Sequence, residues 1–307
     1  MTVKAIYRAG PAYGLGHKRR ALTLARALRQ VPELRRKRVT ILDYPGISPS
    51  TVRRLRERGQ LVVVLGAEYQ TDCPETEPSL QIIPAFSYVN PGSKGPPFLA
   101  GPGVPILGPE YRGLAPKEIR PEVECLLITV GGSDDNTALA ARLAMAACSL
   151  SYTLKIRVVQ GPYFPFGARV LLRWAARKWP RQIEVVRRPK TLLPLLQWCD
   201  VVVAAAGGTL FELSATGTPA LVVQAGPDQE ENAERFAFAM NAPRIEIGTA
   251  GEFWPGDWLG EMRDAIRRAL AELTPDRRLA MSRRMQEWVD GCGTDRAVSE
   301  IMRLAGV

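Results

Sequence analysis

The stretch Cys199–Asn232, CDVVVAAAGGTLFELSATGTPALVVQAGPDQEEN, most constrains what this chain can fold into. After Asp200 comes an apolar run, Val201 to Ala206, of the kind found in strands buried on both faces. Gly207 and Gly208 let the backbone turn tightly into a helix predicted from about Thr209 to Ala215. Gly217 ends that helix, and Pro219 opens a second apolar strand, Ala220 to Gln224. Gly226 and Pro227 turn the chain again, and Asp228 falls where a helix N-cap belongs. Both turns therefore lie at the carboxyl edge of a parallel sheet, where open α/β sheets bind ligands. Backbone N–H groups at such helix starts bind anions, phosphate included. Glu212, one helical turn in, is placed to reach a pair of sugar or ribose hydroxyls. The same pattern also fits an αβ repeat without a ligand.

The length, 307 residues, suggests two domains, each able to bury a core. No apolar run approaches the roughly 18 residues of a membrane span, and MTVKAIYRAG lacks a signal-peptide apolar core. Cys73, Cys125, Cys148, Cys199 and Cys292 are scattered, with no C-x-x-C, which predicts reduced thiols in a cytoplasmic protein. The net charge of +10 attracts polyanions, nucleotides and acidic membrane faces without choosing among them. Its densest run, Arg35, Arg36, Lys37 and Arg38, reads as a solvated loop or, more sharply, as a docking patch for an anionic membrane. No aromatic-plus-basic signature of a nucleic-acid module is expected.

The first domain begins with the same rhythm. Val3 to Tyr7 is a predicted strand, RAGPAYGLGH a loop made permissive by Gly10, Gly14 and Gly16, and a helix runs from near His17 until Pro32 stops it. The glycine spacing is not the dinucleotide fingerprint. His17 is the only histidine in the chain. A helix N-terminus disfavours the imidazolium, so the ring there would stay neutral and able to accept a proton; a plain surface or capping role fits equally. Further strands are predicted at Arg38–Asp43 and Leu61–Leu65, with a helix between them, Ser48–Arg58, capped by Ser48. Residues 69–109 are rich in proline and glycine and predict loops around short strands near 81–86 and 105–107.

The second domain opens with a strand, Cys125 to Val130, then GGSDDNT and a helix from about Asn136 to Cys148. Gly131 and Gly132 turn the chain, and Ser133 and Asp134 can cap the helix. Neither these carboxylates nor any others have metal-ligand spacing, so no metal and no cofactor is expected. A strand at 154–160, a helix at 168–178 with Trp174 and Trp179 in core packing, and a strand at 183–186 follow. A short helix at 192–198, a last strand at 244–247 and helices at 257–272, 275–289 and 295–304 complete the prediction.

G-G-T-x-x-E at Gly207–Glu212, then G-x-P, then D-Q-x-x-N at Asp228–Asn232, resembles the nucleotide-binding half of GT-B enzymes, the group that holds the peptidoglycan N-acetylglucosaminyltransferase. G-L-G-H-K-R-R, Gly14 to Arg20, is similar to the G-x-G-H-x-x-R motif of the UDP-sugar hydrolases of pseudaminic acid synthesis and their spore-coat polysaccharide relatives. The resemblance implies a GT-B fold, two Rossmann-like α/β domains facing across a cleft. It implies a first domain at 1–114, a linker at 115–122 and a nucleotide-binding domain at 123–307, with the last helix crossing back. By the same resemblance His17 activates the attacking water, and Arg20 matches the motif arginine. Glu212 holds the ribose hydroxyls, while Gly207, Gly208 and Gln229 lie around the phosphates and sugar; Thr209, Asp228 and Asn232 of the same motif are expected among the substrate contacts. Gly131, Gly132, Ser133 and Asp134 match a second signature near the diphosphate, and Arg187–Lys190 is the uracil-pocket candidate. Asp43 matches part of an Asp-Ser-Tyr element, and Tyr111 a G-P-x-Y-x-x-L segment whose family arginine is Ala115 here. Where the family carries two aspartates after the third strand, this chain has Gly66, Ala67 and Glu68, a departure that leaves the sugar open.

The expected function is cleavage of the sugar–phosphate bond of a UDP-sugar, as a hydrolase with water as acceptor. The alternative is a GT-B glycosyltransferase that builds surface polysaccharide. A non-catalytic nucleotide-sugar or polyanion binder is the reading from another class. Oligomeric state is left open.

Overall fold

The computed structural model describes residues 2–10, 15–66, 69, 71, 73–86, 97–132, 138–223, 229–245 and 258–307. They divide into two compact units, the described residues of 1–9, 15–113 and 289–307 in one, and those of 10–14 and 114–288 in the other. No helix among them is long and apolar enough to cross a membrane.

The first unit contains β1 (Thr2–Tyr7), α1 (Gly16–Arg29), β2 (Arg38–Asp43), α2 (Pro49–Glu57), β3 (Leu61–Leu65), β4 (Leu80–Pro84) and β5 (Phe98–Gly101). All five strands are parallel and stand in chain order. The period-2 alternation of a strand explains the layers. Val63 and Leu65 of β3 join Ala21, Leu24, Ala25 and Leu28 of α1 in one core. Val62 and Val64 point the other way and join Val52 of α2. The same first core takes in Ala297, Ile301 and Ala305 of the last helix, Gly293–Ala305, so that helix belongs to the first unit. Glycines admit the close approach of the segment before it: a Cβ on Gly293 would stand 2.3 Å from the Pro105 carbonyl oxygen, and one on Gly291 2.0 Å from that of Tyr111.

The strand expected at 105–107 does not form, and β5 pairs with β4 instead, Gln81 opposite Phe98. Pro102 and Pro105 cannot donate to a ladder, and Gly101 leaves the strand at φ +103. The basic run begins as a short 3₁₀ helix, Pro32–Arg36, rather than a loop.

The second unit contains β6 (Cys125–Thr129), α3 (Leu139–Cys148), β7 (Lys155–Gln160), α4 (Phe166–Lys178), β8 (Ile183–Arg187), α5 (Leu193–Trp198), β9 (Val201–Ala205), α6 (Thr209–Thr216), β10 (Ala220–Val223), α7 (Glu230–Met240), β11 (Arg244–Ile245), α8 (Trp258–Glu272) and α9 (Pro275–Trp288); the last helix is α10. Its parallel sheet runs β11-β10-β9-β6-β7-β8. The order reverses between β6 and β9, the neighbours that start its two halves, which is the topological switch point of a Rossmann sheet. Asp200, 5% exposed, fixes their register: Oδ2 accepts from the backbone N–H groups of Glu124 at 2.9 Å and Cys125 at 2.8 Å. Arg120 faces the other carboxylate oxygen at 3.3 Å.

Two expectations need correction. Helix α3 starts at Leu139, not Asn136, behind Ala138 at φ 51 and without a side-chain cap. Trp174 does not pack in the core: α4 buries Ala168, Leu172 and Ala175, and their small-and-leucine face leaves the indole on the opposite side, 45% exposed.

Candidate functional site

In the first unit, parallel pairing sets Tyr7 at the end of β1 beside Asp43 at the end of β2. The chain leaves β1 and enters α1 at Gly16, so the first turn of α1 stands over that same carboxyl edge. There His17 Nδ1 lies 2.6 Å from Asp43 Oδ1. Arg20, one turn further on, donates from Nη2 to Oδ1 at 2.8 Å and from Nε to Oδ2 at 3.1 Å. The Asp43 side chain is fully buried, while His17 and Arg20 keep 23% and 27% exposure.

A carboxylate oxygen accepts, so the contact is a hydrogen bond when Nδ1 of His17 carries the proton, and in a neutral ring of that tautomer Nε2 holds the lone pair. Arg20 Nη2 also stands 3.1 Å from His17 Nδ1. Both groups are donors, so this is two N–H groups converging on one oxygen and not a further bond. The arrangement sets an imidazole against a buried acid, with Nε2 on the unbonded side of the ring. Asp43, expected among the substrate contacts, has both oxygens engaged by protein groups.

In the second unit the switch point puts two glycine turns side by side. β6 leads into Gly131-Gly132 and β9 into Gly207-Gly208, with Thr129 opposite Ala204 in the ladder. Gly131 has φ +96, which L side chains rarely adopt. Gly208 is different: its φ is −58, and a Cβ on Gly207 or Gly208 would meet nothing within 4 Å among the described residues. Neither backbone strain nor packing demands glycine there, so the bare turn keeps open space before the N-terminus of α6. Thr209 and Glu212 stand in the first turn of that helix, both half-buried. Gln229 braces the turn, its Oε1 accepting from the Ala206 N–H at 3.1 Å. Asn232 is exposed on the first turn of α7.

Tyr111 is 2% exposed, in a 3₁₀ turn (Pro109–Tyr111) packed beside Gly291. Gly16 is the first residue of α1. Gly14, Ser133, Asp134 and Asp228 lie outside the described residues. In the uracil-pocket candidate, Arg187 ends β8 and Arg188, at φ 47, donates its N–H to the Gln160 carbonyl at 3.0 Å. Gly161 was missed by sequence reasoning. A Cβ there would stand 2.4 Å from the Gly132 carbonyl oxygen, and Tyr163 N–H bonds that same oxygen at 3.0 Å. A glycine directly after a strand was the available signal. Among the described residues no group of three His, Cys, Asp or Glu side chains could hold a metal ion.

No protein-family model and no curated protein matches the chain. Solved structures do. MurG of Acinetobacter baumannii is 16% identical with a TM-score of 0.54, the match covering 93% of this chain and 78% of that one. WaaG, a glycosyltransferase involved in lipopolysaccharide biosynthesis, is 13% identical at a TM-score of 0.54, with both chains covered in full. The pneumococcal O-GlcNAc transferase GtfA, solved with UDP and GlcNAc, is 12% identical at 0.55, over 94% of this chain and 60% of that one. The fold is therefore that of the GT-B glycosyltransferases. The likeness to UDP-sugar hydrolases carried by Gly14–Arg20 finds no counterpart in these three.

Proposed function

We propose that the protein is a GT-B glycosyltransferase that takes a UDP-sugar as donor and a hydroxyl-bearing acceptor. The observation that carries the reading is the His17–Asp43 hydrogen bond on the first unit. The switch-point turns of the second unit supply the nucleotide half. Glu212 accepts from the ribose hydroxyls, and the N–H groups at the start of α6 face the diphosphate, where a helix N-terminus stabilises negative charge. His17 Nε2 takes the proton of the acceptor hydroxyl as its oxygen forms a bond to the anomeric carbon. The bond from that carbon to the β-phosphate oxygen breaks, and UDP leaves with the electron pair. Asp43 holds the ring in its accepting tautomer and stabilises the imidazolium that forms, and Arg20 holds Asp43 in place.

Water in place of the acceptor hydroxyl makes the same machinery a UDP-sugar hydrolase. The G-x-G-H-x-x-R spacing of Gly14–Arg20 favours that second reading. The experiment incubates the protein with a panel of UDP-sugars, with and without lipid and saccharide acceptors, and follows UDP and free sugar. Release of UDP that depends on an acceptor, with the sugar recovered on it, supports the transferase. Equal amounts of UDP and free sugar without any acceptor support the hydrolase. UDP binding with no turnover under any condition removes both.

A further inference from the structure

Helix α4 carries a surface that the proposed reaction does not use. Phe166, Val170 and Trp174 recur at i, i+4 and i+8, so they line one face, and they are 71%, 42% and 45% exposed. They are three of the seven large hydrophobic side chains exposed among the described residues, which makes them a cluster and not the usual scatter. Arg169, Arg173 and Arg177 form a second row beside the first, Lys178 ends the first row, and Arg181 lies just beyond the helix. The helix contains no acidic residue. Arg173, Arg177, Lys178 and Arg181 pair with no carboxylate among the described residues. Lys178 Nζ lies instead 5.0 Å from the centre of the Trp174 ring and 4.9 Å from that of Trp179, and the two indoles meet edge to face at 5.9 Å.

We propose that this face of α4 docks the protein onto an anionic lipid surface. An apolar row flanked by cations is the pattern of a helix lying in a membrane interface. Indole rings belong at the headgroup level, and a lysine packed along them extends its ammonium to the phosphates. Cations without internal carboxylate partners are available to lipid headgroups. Single-stranded nucleic acid also takes aromatic and basic residues, but it needs successive open ring faces for stacking. Here an aliphatic side chain, Val170, separates the aromatics, and Lys178 and Trp179 already engage the Trp174 ring. The run Arg35–Arg38, for which membrane docking was the sharper expectation, has no exposed large hydrophobic residue within it. The proposal rests on α4 alone and is independent of the reaction.

The test is sedimentation of the full chain with vesicles of phosphatidylcholine alone or mixed with phosphatidylglycerol. The expected result is binding to the anionic vesicles only. Phe166→Ser with Trp174→Ser, and separately Arg173→Glu with Arg177→Glu, should each weaken it by about tenfold or more, since insertion and charge both contribute. These positions are exposed, and an unchanged melting temperature confirms that each variant folds. Brominated acyl chains should quench parent tryptophan fluorescence, and less so in the variant lacking Trp174. Absence of binding to anionic vesicles overturns the proposal, as does binding that both variants retain. Loss in the arginine variant alone, with a single-stranded oligonucleotide competing for the site, would show a general polyanion patch and overturn it as well.

Discussion

Asp43 Oδ1 and His17 Nδ1 stand 2.6 Å apart although 26 positions separate them, and the carboxylate that makes the contact is fully buried. The buried acid orients the partly exposed imidazole and leaves Nε2 unengaged by Asp43.

The pair predicts an asymmetric outcome. His17→Ala should lower turnover by about two to four orders of magnitude and leave UDP binding nearly intact, because general-base loss has that magnitude. Asp43→Asn keeps the volume but presents an amide that can donate toward Nδ1 and favour the other tautomer. Turnover should fall by about two orders or more with KM little changed. Nitrogen-15 NMR of the lone histidine should report Nδ1–H in the parent and a loss of that preference in the variant. Parent-like turnover in His17→Ala would remove the residue from the mechanism.

The proposed ribose contact of Glu212 can be tested on its own. UDP should raise the melting temperature of the parent, and Glu212→Ala should weaken UDP binding by about 1.5–3 kcal/mol, the worth of hydrogen bonds to a charged group. Equal affinity by calorimetry would make the ribose assignment wrong.

Gly208 and Gly161 are both glycines for lack of a Cβ, yet they should respond differently. Among the described residues nothing stands within 4 Å of a Cβ on Gly208, so Gly208→Ala should keep the melting temperature within about 3 °C of the parent, while UDP affinity drops by about tenfold. Gly161→Ala puts an atom 2.4 Å from the Gly132 carbonyl oxygen and should destabilise the fold by about 1–3 kcal/mol. Equal behaviour of the two variants in melting and in binding would refute the distinction.

The proposed mechanism draws the positive charge that a diphosphate leaving group needs from helix N-termini. Turnover should therefore survive excess EDTA. Activity lost with EDTA and restored by magnesium or manganese would show that a cation supplies the charge.

The thiols give a check on the core. Burial pushes Cys148 up to about 11 and Cys199 up to about 12, and Cys125 is buried as well. At pH 8 an alkylating reagent should modify exposed Cys73 and half-buried Cys292 and spare the other three until the protein unfolds. Because the native thiols hold their protons more tightly, their contribution is present below the ordinary thiol value of 9.0 and is lost as pH rises through it toward the folded values. Stability should decline across that alkaline window. Rapid labelling of all five cysteines in the native protein would contradict this packing.

Sequence by itself determined the alternation of elements and the kind of sheet. Short, valine-rich apolar runs such as Val201–Ala206, closed by glycine pairs, read as buried strands ending in turns, so β2, β3 and β9 were legible nearly to the residue. It also singled out His17, as the sole histidine at a helix start. Only tertiary structure decided what holds that ring. Asp43 was expected among the substrate contacts and not behind the ring, because nothing local reveals that β1 and β2 pair in the register that brings it beneath α1. The clearance at Gly161 depends on a neighbouring strand's loop, and the exposure of Trp174 on which face of α4 finds the sheet. Periodicity reports which residues share a face. Which face is covered, and which distant backbone passes within van der Waals reach, is decided by long-range contacts that no local pattern records.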